Sequence, residues 1–258
     1  MVFRRVQRSP VAAPGFPEEW TALLQRRWPL WRQLNLHDRA RMEELTLDFV
    51  ASVRFEGTKG FSVTDEMSVL ISAQACLLVL ELGLDSLRRV RTVIVHPTTM
   101  QLTGPRRTGM GSLMTDAPSR IDGQAHYRGP VIVVWDAVVA DARHPARGRN
   151  VVFHEFAHQL DMLDGMVDGT PPMSDDATRA RWVEVCSREF QSVRDGGDGM
   201  LSDYAGTDPG EFFAVATELF FCLPVQLSEL HPDLYRVLAE FYRQHPAARA
   251  RPSPVADV

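Results

Sequence analysis

The chain of 258 residues has little cysteine and no long apolar run. Its three cysteines, Cys76, Cys186 and Cys222, stand far apart. An odd number so spaced excludes a disulfide scaffold and a cysteine zinc cage, and it suits a reducing compartment. No stretch reaches the roughly 18 apolar residues of a membrane span. Residues 75–80 are cut off by Glu81, and residues 131–135 by Asp136. A basic block is missing too: 28 Lys and Arg stand against 33 Asp and Glu, a net charge of −5, which argues against nucleic acid as a direct partner. Arg4, Arg5 and Arg8 precede no signal-type apolar segment, because Pro10, Pro14 and Pro17 interrupt the residues after them. These absences predict a cytoplasmic protein with no membrane partner.

What is present is an ordinary globular composition, 45% hydrophobic and 24% charged, enough to build a sizeable core. We expect a flexible arm over residues 1–17, one domain over 18–246 and a flexible tail over 247–258. Residues 20–33 and 36–52 read as amphipathic helices, and residues 53–56 as a short strand. Thr64 is a good N-cap, and Asp65 and Glu66 suit the first turn of a helix running to about Leu82 and stopping at Gly83. That helix is apolar on most sides and so should be central. Residues 90–95 and the β-branched run 131–135 read as strands. The second is either an edge to which a peptide adds as a further strand, or an interior strand. Between them, residues 98–129 lose the apolar pattern. A loop that long is usually functional or mobile; laid over a cleft, it would bring His126 and Tyr127 towards a substrate, and otherwise His126 is a solvated loop histidine. Helices are expected over about 148–163, 175–194, 209–222 and 232–244. The order predicts an α+β fold, mostly helical, with a small sheet.

His154-Glu155-Phe156-Ala157-His158 is the pattern H-E-x-x-H. Positions four apart lie one turn apart on one helix face, so both imidazoles can reach one metal ion, with Glu155 close enough to act on a water there. From this composition the pattern arises by chance in about one chain in a hundred. Val152, Phe153, Phe156, Leu160 and Leu163 fall on one side of the helix, and His154, His158 and Asp161 on the other. Asp161 either accepts the spare N–H of a metal-bound histidine or is a solvated helix-end aspartate. No third histidine follows closely, which excludes the three-histidine pattern of the metzincins. A glutamate on a later helix is the alternative. Glu211 and Glu218 both qualify. They share a face of the 209–222 helix about 10 Å apart along its axis, so only one can be a ligand. Each also has a structural reading: Asp208-Pro209-Gly210-Glu211 resembles a capping box, and Glu218 sits among Leu219, Phe220 and Phe221. Spacing alone does not choose between them.

Residues 154–161 (His-Glu-Phe-Ala-His-Gln-Leu-Asp), followed by Tyr204 and then Glu211-Phe212-Phe213-Ala214, resemble the Mlc titration factor A family of zinc-dependent peptidases, a gluzincin-like group. Phe55-Glu56-Gly57, Thr64-Asp65-Glu66 and Gly129-Pro130 with the run to Trp135 also look like family segments, and the resemblance covers roughly residues 15–245. The same arrangement is similar to the catalytic domain of anthrax lethal factor. In these families a tyrosine stands seven residues before the ligand glutamate, as Tyr204 stands before Glu211. The resemblance therefore implies one Zn²⁺ per chain on His154, His158 and Glu211, with Glu155 as general base and Tyr204 stabilising the oxyanion. It implies a zincin-like peptidase domain acting on peptides as a cytoplasmic aminopeptidase. It also implies a transcriptional repressor of sugar uptake as a partner, although no residue here is identified that would carry that contact. The competing class is a regulatory protein that sequesters the repressor on a peptidase fold without catalysis. Intact Glu155 favours the enzyme. A zinc hydrolase acting on other bonds has the same ligands.

Overall fold

The computed structural model describes residues 15–58, 60–98 and 129–250, together with the backbone of five short strands between residues 100 and 125. The fold is mostly helical α+β with a small sheet, as expected.

Helices α1 (Glu18–Arg27), α2 (Pro29–Gln33) and α3 (Leu36–Ser52) open the chain. Asn35 caps α3 by accepting the Asp38 N–H at 2.8 Å. Strand β1 (Arg54–Gly57) follows, then α4 (Asp65–Leu78), capped by Thr64 and buried along nearly all its length. The regular helix stops at Leu78, short of the expected Leu82. The chain continues in turns to Gly83, whose φ of +81° lets it leave in another direction.

Strands β2 (Thr92–His96) and β4 (Val131–Val134) lie parallel to β1, while β3 (Gly123–Ala125) runs antiparallel to β4, giving the sheet order β1-β2-β4-β3. The run 131–134 is thus an interior strand and not an edge: Val93 pairs with it through Val131 on one side, and Gln124 through Ile132 on the other. Trp135 does not belong to it but opens α5 (Trp135–Arg143). The expected long loop also contains paired backbone. Met100–Leu102 pairs with Ser119–Ile121, and Arg106–Arg107 with Met114–Thr115, all antiparallel. His126 and Tyr127 lie outside the described residues.

The second half is helical: α6 (Val151–Asp161), α7 (Asp176–Arg194), α8 (Pro209–Cys222), α9 (Pro224–Leu230), α10 (Pro232–Tyr242) and α11 (Pro246–Ala250). One hydrophobic core runs from Leu23 to Tyr242. At its centre α6 packs Phe156 against Phe49 of α3 at 5.8 Å between ring centroids, and Phe153 against Phe221 of α8 at 5.4 Å. Among the described residues no single helix is long and apolar enough to cross a membrane; α8 and α9 pass that test together but meet at a bend of 115°. The apolar girth of α8 reflects burial in this core.

Packing runs past both bounds expected for the domain. Phe16 sets its ring edge-on to Trp20 and stacks on Trp31, so packing begins inside the expected arm. Residues 246–250, mostly assigned to the tail, form α11, and Arg249 there pairs with Asp38 at 3.1 Å and donates to Gln244 at 3.0 Å. The remainders of the arm and tail, 1–14 and 251–258, lie outside the described residues.

Candidate metal centre

Helix α6 starts where Asn150 caps it, accepting the Phe153 N–H at 3.0 Å. Its apolar stripe, Val152, Phe153, Phe156 and Leu160, is fully buried. The opposite side is not a solvated face, because α8 lies over it. His154 and His158 stand one turn apart there with ring centroids 4.9 Å apart, and their side chains are only 14% and 12% exposed. From α8, Glu211 places Oε2 3.0 Å from His154 Nε2 and 3.5 Å from His158 Nε2. The three residues present ligand atoms within 4.8 Å of one another, an arrangement able to hold a metal ion.

Glu218 lies near this group without joining it. Its Oε1 takes the other nitrogen of the same ring, His154 Nδ1, at 2.8 Å, while its Oε2 accepts the Asn150 N–H at 2.5 Å. The two glutamates of α8 therefore bracket one imidazole, each on its own nitrogen. Glu211 also makes only half of the anticipated capping box. Asp208 accepts the Glu211 N–H at 3.0 Å, but the Glu211 carboxylate turns to the histidines instead of back to the Asp208 backbone.

The donor chemistry fits a divalent cation. A carboxylate can only accept, so His154 meets one on each ring nitrogen: Glu218 at Nδ1 and Glu211 at Nε2, where a bare nitrogen would set its lone pair against the carboxylate. Lone pair against lone pair is repulsive unless a proton or cation lies between. Glu211 Oε2 is buried without a hydrogen-bond donor, as is Oε2 of Glu155. Two imidazoles and a carboxylate form a borderline-soft donor set of the kind zinc takes.

Glu155 is 3% exposed. Burial pushes its carboxyl up to about 8, against the pull of His154 and with help from Glu211 and Glu218. Burial works against charge on His154 as well, but the acceptors Glu211 and Glu218 outweigh it and hold the imidazole well above its usual value. Glu211 also feels burial, and the two histidines overcome it, holding its carboxyl well below the carboxylate range. Tyr204 sits on a 3₁₀ turn, Asp203–Gly206, half exposed, with its ring 6.0 Å from that of His154. Burial around the hydroxyl and the nearby Glu211, Glu155 and Asp208 carboxylates hold the phenol above its usual value.

Asp161 departs from expectation. It is fully buried, and its carboxylate accepts the Gly169 N–H at 3.0 Å instead of a histidine N–H. The carboxylate that supports a histidine is Glu218, a role that sequence reasoning missed, together with the part of Asn150. Its trace in the sequence is Gln74, an amide in the middle of a mostly apolar helix.

A helix-borne pair of histidines, a buried glutamate between them and a carboxylate from a following helix are the parts of a metallopeptidase-type centre. The family model described as Glucose-regulated metallo-peptidase M90 matches residues 3–243, and the chain belongs to that family. It is 34% identical over 238 residues to an uncharacterized protein of Synechocystis sp., covering 89% of this chain and 85% of that one. It is 30% identical over 234 residues to proteins named Mlc titration factor A from Salmonella agona and Salmonella typhi, covering 87% of this chain and 86% of each.

Proposed function

We propose that the protein is a zinc-dependent aminopeptidase of the cytoplasm, with His154, His158 and Glu211 holding the ion and Glu155 and Tyr204 as catalytic residues. The observation that carries this reading is Glu155: a buried carboxylate with one unpartnered oxygen, beside three converging ligand atoms. A group so placed is costly to the fold, and groups of that kind cluster at sites where they have a chemical task.

Zinc supplies Lewis acidity, polarising a carbonyl and lowering the pKa of water towards roughly 7. The protein does the rest. Glu155, raised to about 8 by burial, moves down when positive charge occupies the neighbouring ligands, and from that position it can take a proton from the attacking water and return it to the leaving amine. Tyr204, kept protonated across the physiological range, donates its O–H to the developing oxyanion. The choice of peptide substrates, and of aminopeptidase action among peptidase activities, rests on the family resemblance.

Glu155→Gln tests the mechanism. The variant should bind zinc like the parent, because the residue is not a ligand, and should lose at least roughly 100-fold in turnover of chromogenic amino-acid amides. Unchanged turnover would remove Glu155 from the mechanism.

The relatives' name, Mlc titration factor A, supports a second role, the binding of a sugar-uptake repressor. The two readings separate cleanly: Glu155→Gln should still capture a repressor of that type if binding uses the surface, and catalysis alone should be lost.

A further inference from the structure

Behind His154 runs a chain of buried polar groups with one possible direction. In α4, Gln74 is wholly buried; its Nε2 donates to the Leu70 carbonyl at 3.0 Å. That leaves Oε1 to accept from Asn150 Nδ2 at 2.7 Å. Asn150 Oδ1 is already committed to the Phe153 N–H that starts α6, so the Asn150 amide cannot turn over. The Asn150 backbone N–H then donates to Glu218 Oε2, and Glu218 Oε1 takes His154 Nδ1. Asn150 is 1% exposed and Glu218 7%, so water does not substitute for any link.

We propose that Glu218, held by Asn150 and ultimately by Gln74, is the positioning residue that locks His154 in the Nδ1–H tautomer and so presents a bare Nε2 to the metal. This rests on His154, His158 and Glu211 being the ligands, and it adds three residues that touch neither metal nor substrate. Two donors, the Asn150 N–H and the His154 Nδ1–H, converge on the two oxygens of Glu218. Glutamine has the same shape but only one oxygen. Since the backbone N–H cannot become an acceptor, its partner must stay an oxygen, and the new NH₂ faces Nδ1. Nδ1 must then accept, which moves the ring proton to Nε2, where the metal belongs. Gln74 explains itself in the same way: it is an amide in an apolar helix because the far end of the chain needs one acceptor there and one donor to the Leu70 carbonyl.

The test measures zinc binding by chelator competition at constant pH. Glu218→Gln should keep one zinc per chain but bind it about 10–100-fold more weakly, the usual effect of losing the partner of a ligand histidine. In the zinc-loaded parent the His154 Nδ1–H proton should resonate far downfield, as a proton shared with a carboxylate does, and that signal should be lost or move upfield in Glu218→Gln. A purely structural role would not move it. Cobalt substituted for zinc should give the parent's absorption envelope in Glu218→Gln, because the donor atoms are the same, and a changed one in Glu211→Gln. Gln74→Met, which leaves the α6–α8 contact intact, should weaken zinc in the same direction by a smaller factor; it decides the matter if Glu218→Gln does not fold. Unchanged zinc affinity in a folded Glu218→Gln overturns the proposal, and where that variant does not fold, unchanged affinity in Gln74→Met overturns it. A parent that binds no zinc, or a Glu211→Gln that binds it fully, instead overturns the ligand reading itself.

Discussion

At the scale of single residues, Asp161 shows how the site's surroundings carry a cost that pH can reveal. Its carboxyl is fully buried, one oxygen has no hydrogen-bond partner, and its pKa stands at about 6, raised first by burial and lowered only in part by the Gly169 N–H and His158. An acid whose folded pKa is raised contributes stability at low pH and loses it as pH climbs to the folded value. Relative to Asp161→Asn, the parent should therefore hold its own below about pH 4 and lose stability between roughly pH 4 and 6, by on the order of 3 kcal/mol at most. Thermal melts of both proteins, stripped of metal and scanned over that range, check this. A difference in melting temperature that stays flat with pH would mean that Asp161 is not ionised against its environment. Residues like this one were only partly legible in the sequence. The pair His154 and His158 could be read because helical spacing alone puts them on one side. Glu211 and Glu218 could not be separated, because both do reach the same ring, one at each nitrogen, and seven-residue spacing does not say which nitrogen.

At the scale of elements, legibility depended on the strength of the start signal. Helix α8 occupies the expected residues because Asp208 caps it and Pro209 stands at its first position. Helix α5 was missed because Trp135 extends a β-branched run and its N-cap, Val134, offers no side-chain acceptor. Helices α9 and α11, of 7 and 5 residues, are too short to show periodicity. The nested strand pairs between residues 100 and 121 are only two or three residues long, below the length at which alternation can be seen. The cap of α8 has a consequence for the site, because the N–H it satisfies is that of Glu211. Asp208→Ala should cost about 1 kcal/mol of stability by loss of the cap, and it should also weaken zinc by freeing the backbone of a ligand. Asp208→Asn keeps the acceptor and should restore both quantities. Denaturant unfolding and zinc titration on the two variants give the answer; equal zinc affinity in all three proteins would show that the cap serves the helix alone.

At the scale of the whole molecule, the proposed ligands join two helices that the core also joins. His154 and His158 belong to α6 and Glu211 to α8, with the loop between α6 and α7 lying along the seam. In that loop Gly169 donates to Asp161, accepts from the Trp182 indole at 2.9 Å, and at a φ of +72° lies so close to the Pro209 carbonyl that a Cβ would sit 2.2 Å from it. Aromatic rings continue the joint, with Trp182 against Phe213 at 5.5 Å. A cation held by both helices binds only the folded chain, since unfolding separates His158 from Glu211 by more than fifty residues of chain. Zinc should therefore raise global stability by mass action, by about 4 kcal/mol at a free concentration a thousand times its Kd. For a chain of this size that is on the order of 10 °C in Tm. The rise should track the logarithm of free zinc and reverse with chelator. Glu155→Gln should show the same rise, because it keeps all three ligands, while Glu211→Gln should lose most of it. Differential scanning calorimetry over a series of buffered zinc concentrations measures the slope. A parent whose Tm ignores zinc would show that the two histidines and Glu211 do not act together on one ion, whatever their spacing in the fold.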